Sequence, residues 1–176
     1  MKLNIGCGET KLEGYVNIDL EESTKPDLVL DVRKDVLPFN DNEIEEIVCI
    51  HNIEHIEFKY WDHIFQEFNR VLLKDGLLLL AYPEFERCAK YFIENHRGLR
   101  DFWRATLYGR QLYPGDYHVT PMVTEELISF LTNSGFGEFK YKPEVDEEYN
   151  TFLIAKKTKI MMREDVIRQD LFVGSV

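Results

Sequence analysis

Cysteine is sparse. The chain has three, Cys7, Cys49 and Cys88, scattered and odd in number. They build neither a disulfide framework nor a metal-ligand spacing, and they suit a reducing compartment. Long apolar runs are missing too. None approaches the ~20 residues a membrane helix needs, and Gly6 interrupts the first apolar run, so no signal peptide is expected. Basic charge is short, with 21 Lys and Arg against 32 Asp and Glu and a formal net charge of -11. Such a surface repels phosphate backbones and argues against a nucleic-acid partner unless the basic groups cluster. No glycine-rich phosphate loop followed by lysine and a hydroxyl is present, which argues against a nucleotide triphosphatase. There is no internal repeat and no low-complexity segment. A cytoplasmic protein without membrane contact is the expectation.

The 176 residues are 44% hydrophobic and 13% aromatic, enough for one compact domain with a core. The segment that organises the chain is Lys2-Leu3-Asn4-Ile5-Gly6-Cys7-Gly8. An apolar run meets two glycines one residue apart. This is how a buried parallel strand ends in a turn that lets a ligand approach the backbone. The next apolar run, Tyr15-Val16-Asn17-Ile18-Asp19, ends in a carboxylate. An acid at that place in a doubly wound sheet faces ribose hydroxyls. The dinucleotide fingerprint is not met, because Lys11 stands where the third glycine belongs and Asp19 comes too soon.

Further strands are expected at residues 27–32, 45–50 and 77–82, the last apolar throughout. The link between the first two strands is brief, with room for two helical turns at most. Ile56, Tyr60, Ile64, Phe68 and Leu72 recur every four residues. That spacing predicts an amphipathic helix of about four turns, closed by Asp75-Gly76. Helices are also expected over 84–95 and 98–108, then from Thr124, whose hydroxyl would cap the first turn. Residues 136–142 and 151–156 read as a hairpin. Together these give an α/β, doubly wound, Rossmann-like sheet of seven mostly parallel strands with a C-terminal antiparallel hairpin strand. Gly6, Gly8, Asp19, Asp31 and His51 all fall at predicted carboxyl ends of strands, where such sheets bind ligands.

The ordered set Leu3-Asn4-Ile5-Gly6-Cys7-Gly8, Gly14-Tyr15-Val16-Asn17-Ile18-Asp19, Leu37-Pro38-Phe39, His51-Asn52-Ile53-Glu54-His55, Leu72-Leu73-Lys74-Asp75-Gly76 and Gly135-Phe136 resembles the class I S-adenosylmethionine-dependent methyltransferases. It is most similar to the type 11 group with short crossovers. The resemblance implies a methyltransferase domain over 1–158, with a substrate-side insert or lid at 97–121. Residues 159–176 would be a tail serving as a docked helix or an oligomer contact, and a homodimer is allowed.

The same resemblance implies S-adenosylmethionine as cofactor and S-adenosylhomocysteine as product. Asn4, Gly6, Cys7 and Gly8 would surround its methionine part. Asp19, followed by Leu20, would take both ribose hydroxyls. Asp31 and Val32 would read the adenine, and His51 would border the methyl group. Asn4 stands where many relatives carry an acid.

The expected reaction is O-methylation of a small-molecule, sugar or glycan acceptor. A hydroxyl nucleophile must lose a proton, which suits a histidine. His51 and His118 are the catalytic candidates. His55, Arg100, Arg104, Tyr113, Tyr117 and His118 are the substrate candidates, since arginines hold anions and aromatics stack on sugar faces. Other readings stand beside these. Asp31 could cap a helix, Cys7 is a small buried filler, and the arginines could form a solvated helix face. His51-Asn52-Ile53-Glu54-His55 also spells a zinc-peptidase pattern, but it lacks a third ligand and leaves the glycine turn unexplained, so no metal is expected. A zinc hydrolase and a non-catalytic cofactor-binding relative remain the alternatives. The absence of an aspartate-proline-proline-aromatic tetrad and of a proline-cysteine pair argues against methylation of nucleic-acid bases.

Overall fold

In a computed structural model of the chain, residues 1–95, 100–113, 115–143 and 149–159 are described. The tail expected at 159–176 lies outside them beyond Lys159.

Strands rich in apolar residues pair into one seven-stranded sheet of order β3-β2-β1-β4-β5-β7-β6. The strands are β1 (Lys2–Ile5), β2 (Val16–Asp19), β3 (Leu28–Val29), β4 (Ile44–Ile50), β5 (Leu72–Pro83), β6 (Phe136–Pro143) and β7 (Asn150–Lys157). The first five run parallel, and β7 joins β5 antiparallel, with β6 outside it. The seven-stranded sheet with an antiparallel hairpin is therefore as expected. The helices are α1 (Trp61–Val71), α2 (Phe85–Asn95), α3 (Arg100–Tyr108) and α4 (Thr124–Asn133).

Alternation along β1, β4 and β5 sends Leu3, Ile5, Ile47, Cys49, Leu78 and Leu80 to one face, all buried. Trp61, Phe65 and Phe68 of α1, with Leu127 and Leu131 of α4, complete the same cluster. Burying each of these large side chains contributes about 1.5–3 kcal/mol.

Several expectations shift. The link between β1 and β2 carries no helix, only turns, and β3 spans two residues rather than six. The helix expected over 56–72 starts at Trp61, because the carbonyls it would need upstream are taken. Glu54 O accepts from the Val119 and Thr120 amides at 2.9 and 3.3 Å, and Ile56 O accepts from the Thr120 hydroxyl at 2.9 Å. Separate 3-10 turns form at Ile53–His55 and Phe58–Tyr60 instead. The helix ends at Val71, since Leu72 pairs with Ile44 in the sheet. Asp75-Gly76 thus sits inside β5, beside a register shift in β4, rather than capping a helix. Finally, Thr124 is the first helical residue and makes no cap bond; its hydroxyl meets the Tyr82 hydroxyl at 3.2 Å.

A buried ion cluster fixes the loop between β3 and β4. Arg70, 2% exposed, donates to Glu67 through Nε at 2.7 Å and Nη2 at 2.9 Å. It also donates to Leu37 O and Phe39 O, both at 3.0 Å, and to Asp41 at 2.7 Å. Glu67 in turn accepts from the Leu37 amide at 3.1 Å. The Leu37-Pro38-Phe39 segment is thereby held onto α1, which sets the path of the chain leaving Asp31.

Candidate active site

The turn after β1 brings the first group of residues together. Gly6 and Gly8 both have positive φ, +65° and +48°, a region open to glycine at no steric cost. A Cβ on Gly6 would stand 2.0 Å from Asn52 Nδ2 and 2.7 Å from Asn52 Cβ. The turn and the segment after β4 therefore pack backbone against side chain. Over Gly8, nothing lies within 4 Å of where a Cβ would be, so the Cα side of its backbone faces open space. Substituting Gly6→Ala is expected to abolish measurable S-adenosylhomocysteine binding by calorimetry. It should also destabilise the fold by about 1–2 kcal/mol from the left-handed backbone alone.

Asp19 closes the turn from the neighbouring strand. Its Oδ2 accepts from the Gly8 amide at 2.7 Å and its Oδ1 from the Glu21 amide at 2.9 Å. A carboxylate has about four acceptor sites, so two remain for a vicinal diol. Leu20, beside it, is 47% exposed. Lys11, the residue in place of a third glycine, folds back onto the Gly8 carbonyl and the Cys7 sulfur. Burial pushes the Cys7 thiol up, against the pull of Lys11. Cys7 is thus a buried filler rather than a nucleophile.

Two cofactor candidates are already engaged. Asn4 is buried, and its amide donates to Thr10 O at 3.0 Å and Asn17 Oδ1 at 2.9 Å, so only its oxygen is left for a ligand. Asp31 is 5% exposed and is gripped by Arg33 at 2.8 Å through both Nε and Nη2, with Lys34 at 3.2 Å. The Arg33 guanidinium holds its carboxyl down at about 2. Val32 is half-buried next to it.

The second group surrounds a cavity of about 250 Å³ lined by His51, Pro83, Ala105, Thr106, His118, Tyr149 and Asn150. It lies beyond the carboxyl ends of β4 and β5 as an open depression bordered by α3, His118 and the start of β7. His51 has φ +49°, and its amide donates to Ala81 O at 2.9 Å. Its imidazole Nδ1 stands 3.4 Å from Glu54 Oε1. His51 is therefore not on a helix with His55, and the helical ligand pair that a zinc peptidase would use is not formed.

The insert is fastened rather than loose. Besides the bonds to Glu54 O and Ile56 O, Tyr117 O accepts from His55 Nδ1 at 2.9 Å and Thr106 O from His118 Nδ1 at 2.9 Å. Burial lowers the His118 pKa from its ordinary value, which favours the neutral ring near pH 7. Tyr113 and Tyr117 are about half exposed and do not line the cavity. Arg104 is exposed, and the side chains of Arg97 and Arg100 lie outside the described residues. Sequence reasoning missed Asn52, Pro83, Thr106, Tyr149 and Asn150. Asn52 lay within a quoted motif. The others join the site through β5, α3 and β7, with no local signal.

Residues 3–80 match the family described as "Methyltransferase domain". The fold is shared with solved S-adenosylmethionine-dependent methyltransferases. One from Archaeoglobus fulgidus is 16% identical, with a TM-score of 0.63 over 89% of this chain and 85% of that one. One from Methanosarcina mazei is 21% identical, with a TM-score of 0.60 over 89% and 92%. The likeness is to a methyltransferase domain over residues 3–80 and, beyond them, to the fold alone. A possible exported protein from Bordetella parapertussis also shares the fold, at 12% identity and a TM-score of 0.63; this chain is covered over 90% of its length and spans 62% of that protein. No curated protein matches the sequence. The residues at the glycine bend fit a nucleoside such as that of S-adenosylmethionine, since Asp19 keeps free acceptor sites beside the open Cα side of Gly8. Among the described residues, no helix is long and apolar enough to cross a membrane.

Proposed function

We propose that this chain is a methyltransferase acting on an oxygen of a small-molecule or sugar acceptor seated in the cavity beside His51 and His118. The observation that carries this is the cavity itself. It is small, lies at the carboxyl ends of the central strands, and is lined by two histidines. A volume of about 250 Å³ accommodates a compact molecule or a terminal sugar. The net charge of -11 disfavours nucleic acid.

S-adenosylmethionine, when bound, supplies a methyl group already activated on a sulfonium. The chain's own work is to hold the acceptor oxygen in line with that methyl and to keep water away. The His51 imidazole would take the hydroxyl proton as the acceptor oxygen becomes the nucleophile. Glu54 Oε1 stands 3.4 Å from Nδ1, beside the charge the ring would gain. Asp19 and the backbone at Gly6 and Gly8 hold the nucleoside side of the site, and Asp31 bounds it.

A screen of hydroxyl acceptors with methyl-labelled donor tests the reading, and failure to label any sugar, phenol or alcohol would end it. With the acceptor found, His51→Gln is expected to lower kcat about 100-fold or more. S-adenosylhomocysteine affinity should stay within about threefold. Full turnover in both His51→Gln and His118→Gln would remove the proton-transfer role.

A further inference from the structure

Glu54, His55 and His118 approach one another from two separate segments, with one ligand atom of each within 4.8 Å of the others. Three features of this cluster point to an occupant. First, the Glu54 side chain is 1% exposed, and neither carboxyl oxygen has a hydrogen-bond partner; His51 Nδ1 stands 3.4 Å from Oε1. A buried carboxyl group without a donor is costly and rare, and a coordinated cation relieves that cost.

Second, both rings are fixed in one tautomer. His55 Nδ1 meets Tyr117 O and His118 Nδ1 meets Thr106 O, each at 2.9 Å. A carbonyl only accepts, so each Nδ1 carries a proton and each neutral ring keeps its lone pair on Nε2. This second bond to a carbonyl is how metal-ligating histidines are held. Third, the two rings lie 4.8 Å apart and nearly perpendicular, at 79°, so their nitrogens can address one point from different directions.

We propose that Glu54, His55 and His118 form a site for a divalent transition ion of the zinc type, which locks the insert to the turn after β4. Two imidazoles and a carboxylate are a known donor set for zinc. Bonds of ~2.0–2.2 Å place the ligand atoms of a tetrahedral ion ~3.3 Å apart, so the cluster closes onto an ion by side-chain adjustments of about 1 Å. Three protein ligands leave a coordination position for water or for a group in the adjoining cavity, whose wall includes His118. This ligand set differs from the zinc-peptidase reading of the same segment, because Glu54 replaces His51 as a ligand and the third comes from the insert. It also revises the expectation that no metal is held.

The test uses the full chain after chelator treatment, titrated with zinc by calorimetry and with cobalt(II) by visible absorption. One ion per chain is expected, with tetrahedral cobalt bands and a raised thermal midpoint. Glu54→Gln and His118→Ala should each weaken zinc binding about 100-fold or more. They should keep S-adenosylhomocysteine binding, which reports that the fold survives. Absence of saturable zinc binding, or unchanged affinity in both variants, overturns the proposal. Should a substitution unfold the chain, the cobalt spectrum of the unsubstituted protein decides. A thiolate charge-transfer band would put the ion on a cysteine and end the proposal. Zinc binding by a chain that ignores S-adenosylhomocysteine would instead sink the cofactor reading and leave the metal site standing.

Discussion

Replacing Asp19 with alanine weakens S-adenosylhomocysteine binding by about 100-fold or more, measured by calorimetry. Each hydrogen bond from a ribose hydroxyl to a carboxylate is worth about 1.5–3 kcal/mol, and 1.4 kcal/mol is about tenfold in affinity. Two such bonds therefore exceed 100-fold even after some replacement by water. A second loss adds to this. The carboxylate also accepts the Gly8 and Glu21 amides, so its removal frees the turn beside the ligand. Asp19→Asn separates the two contributions. It keeps an acceptor oxygen without the charge, and its affinity should fall between wild type and alanine. An unchanged dissociation constant in Asp19→Ala would place the nucleoside elsewhere.

The largest effect on stability is expected at Arg70. Arg70→Met leaves the Glu67 carboxylate buried without its partner, and it strips donors from Leu37 O, Phe39 O and Asp41. Breaking a buried pair by removing one side costs about 3–5 kcal/mol. For a chain of this size each kcal/mol moves Tm by about 2–4 °C, so Tm should fall by about 10 °C. Burial opposes the charge on Arg70, but its carboxylate partners win and hold its pKa above the ordinary value. The double variant Glu67→Gln with Arg70→Met removes the stranded charge. It should be more stable than Arg70→Met alone, and a thermal scan of the four proteins measures the coupling. A single substitution that left Tm in place would show that the cluster is not what holds the Leu37-Pro38-Phe39 loop.

The parts of the site legible in the sequence are those written locally. The bend at Gly6 and Gly8 and the acid at Asp19 could be read because strand, turn and carboxylate follow one another within a few residues. The antiparallel hairpin was legible from two apolar alternations in a row. The first helix was misjudged at both ends because distant groups decided it. Thr120 and Val119 bind carbonyls that a longer helix would have used, and sheet pairing with Ile44 claims Leu72. The cavity was invisible for the same reason, since Tyr149 and Asn150 reach it from almost 100 residues beyond His51. The buried, donor-free carboxyl of Glu54 leaves no mark in the sequence, where it reads as an ordinary acid in a first turn.

Beside the glycine bend, the links between β1, β2 and β3 carry only turns and a short 3-10 segment at Glu22–Thr24, and β3 spans two residues. Among the described residues, no α-helix lies in the links between β1 and β3. A bound nucleoside would therefore act as a missing strut, joining Asp19 to its neighbours by contacts the polypeptide does not supply itself. Ligands that bind only the native state stabilise it by mass action. If the proposed nucleoside binds there, the empty chain is the softer one and the easier prey for proteases.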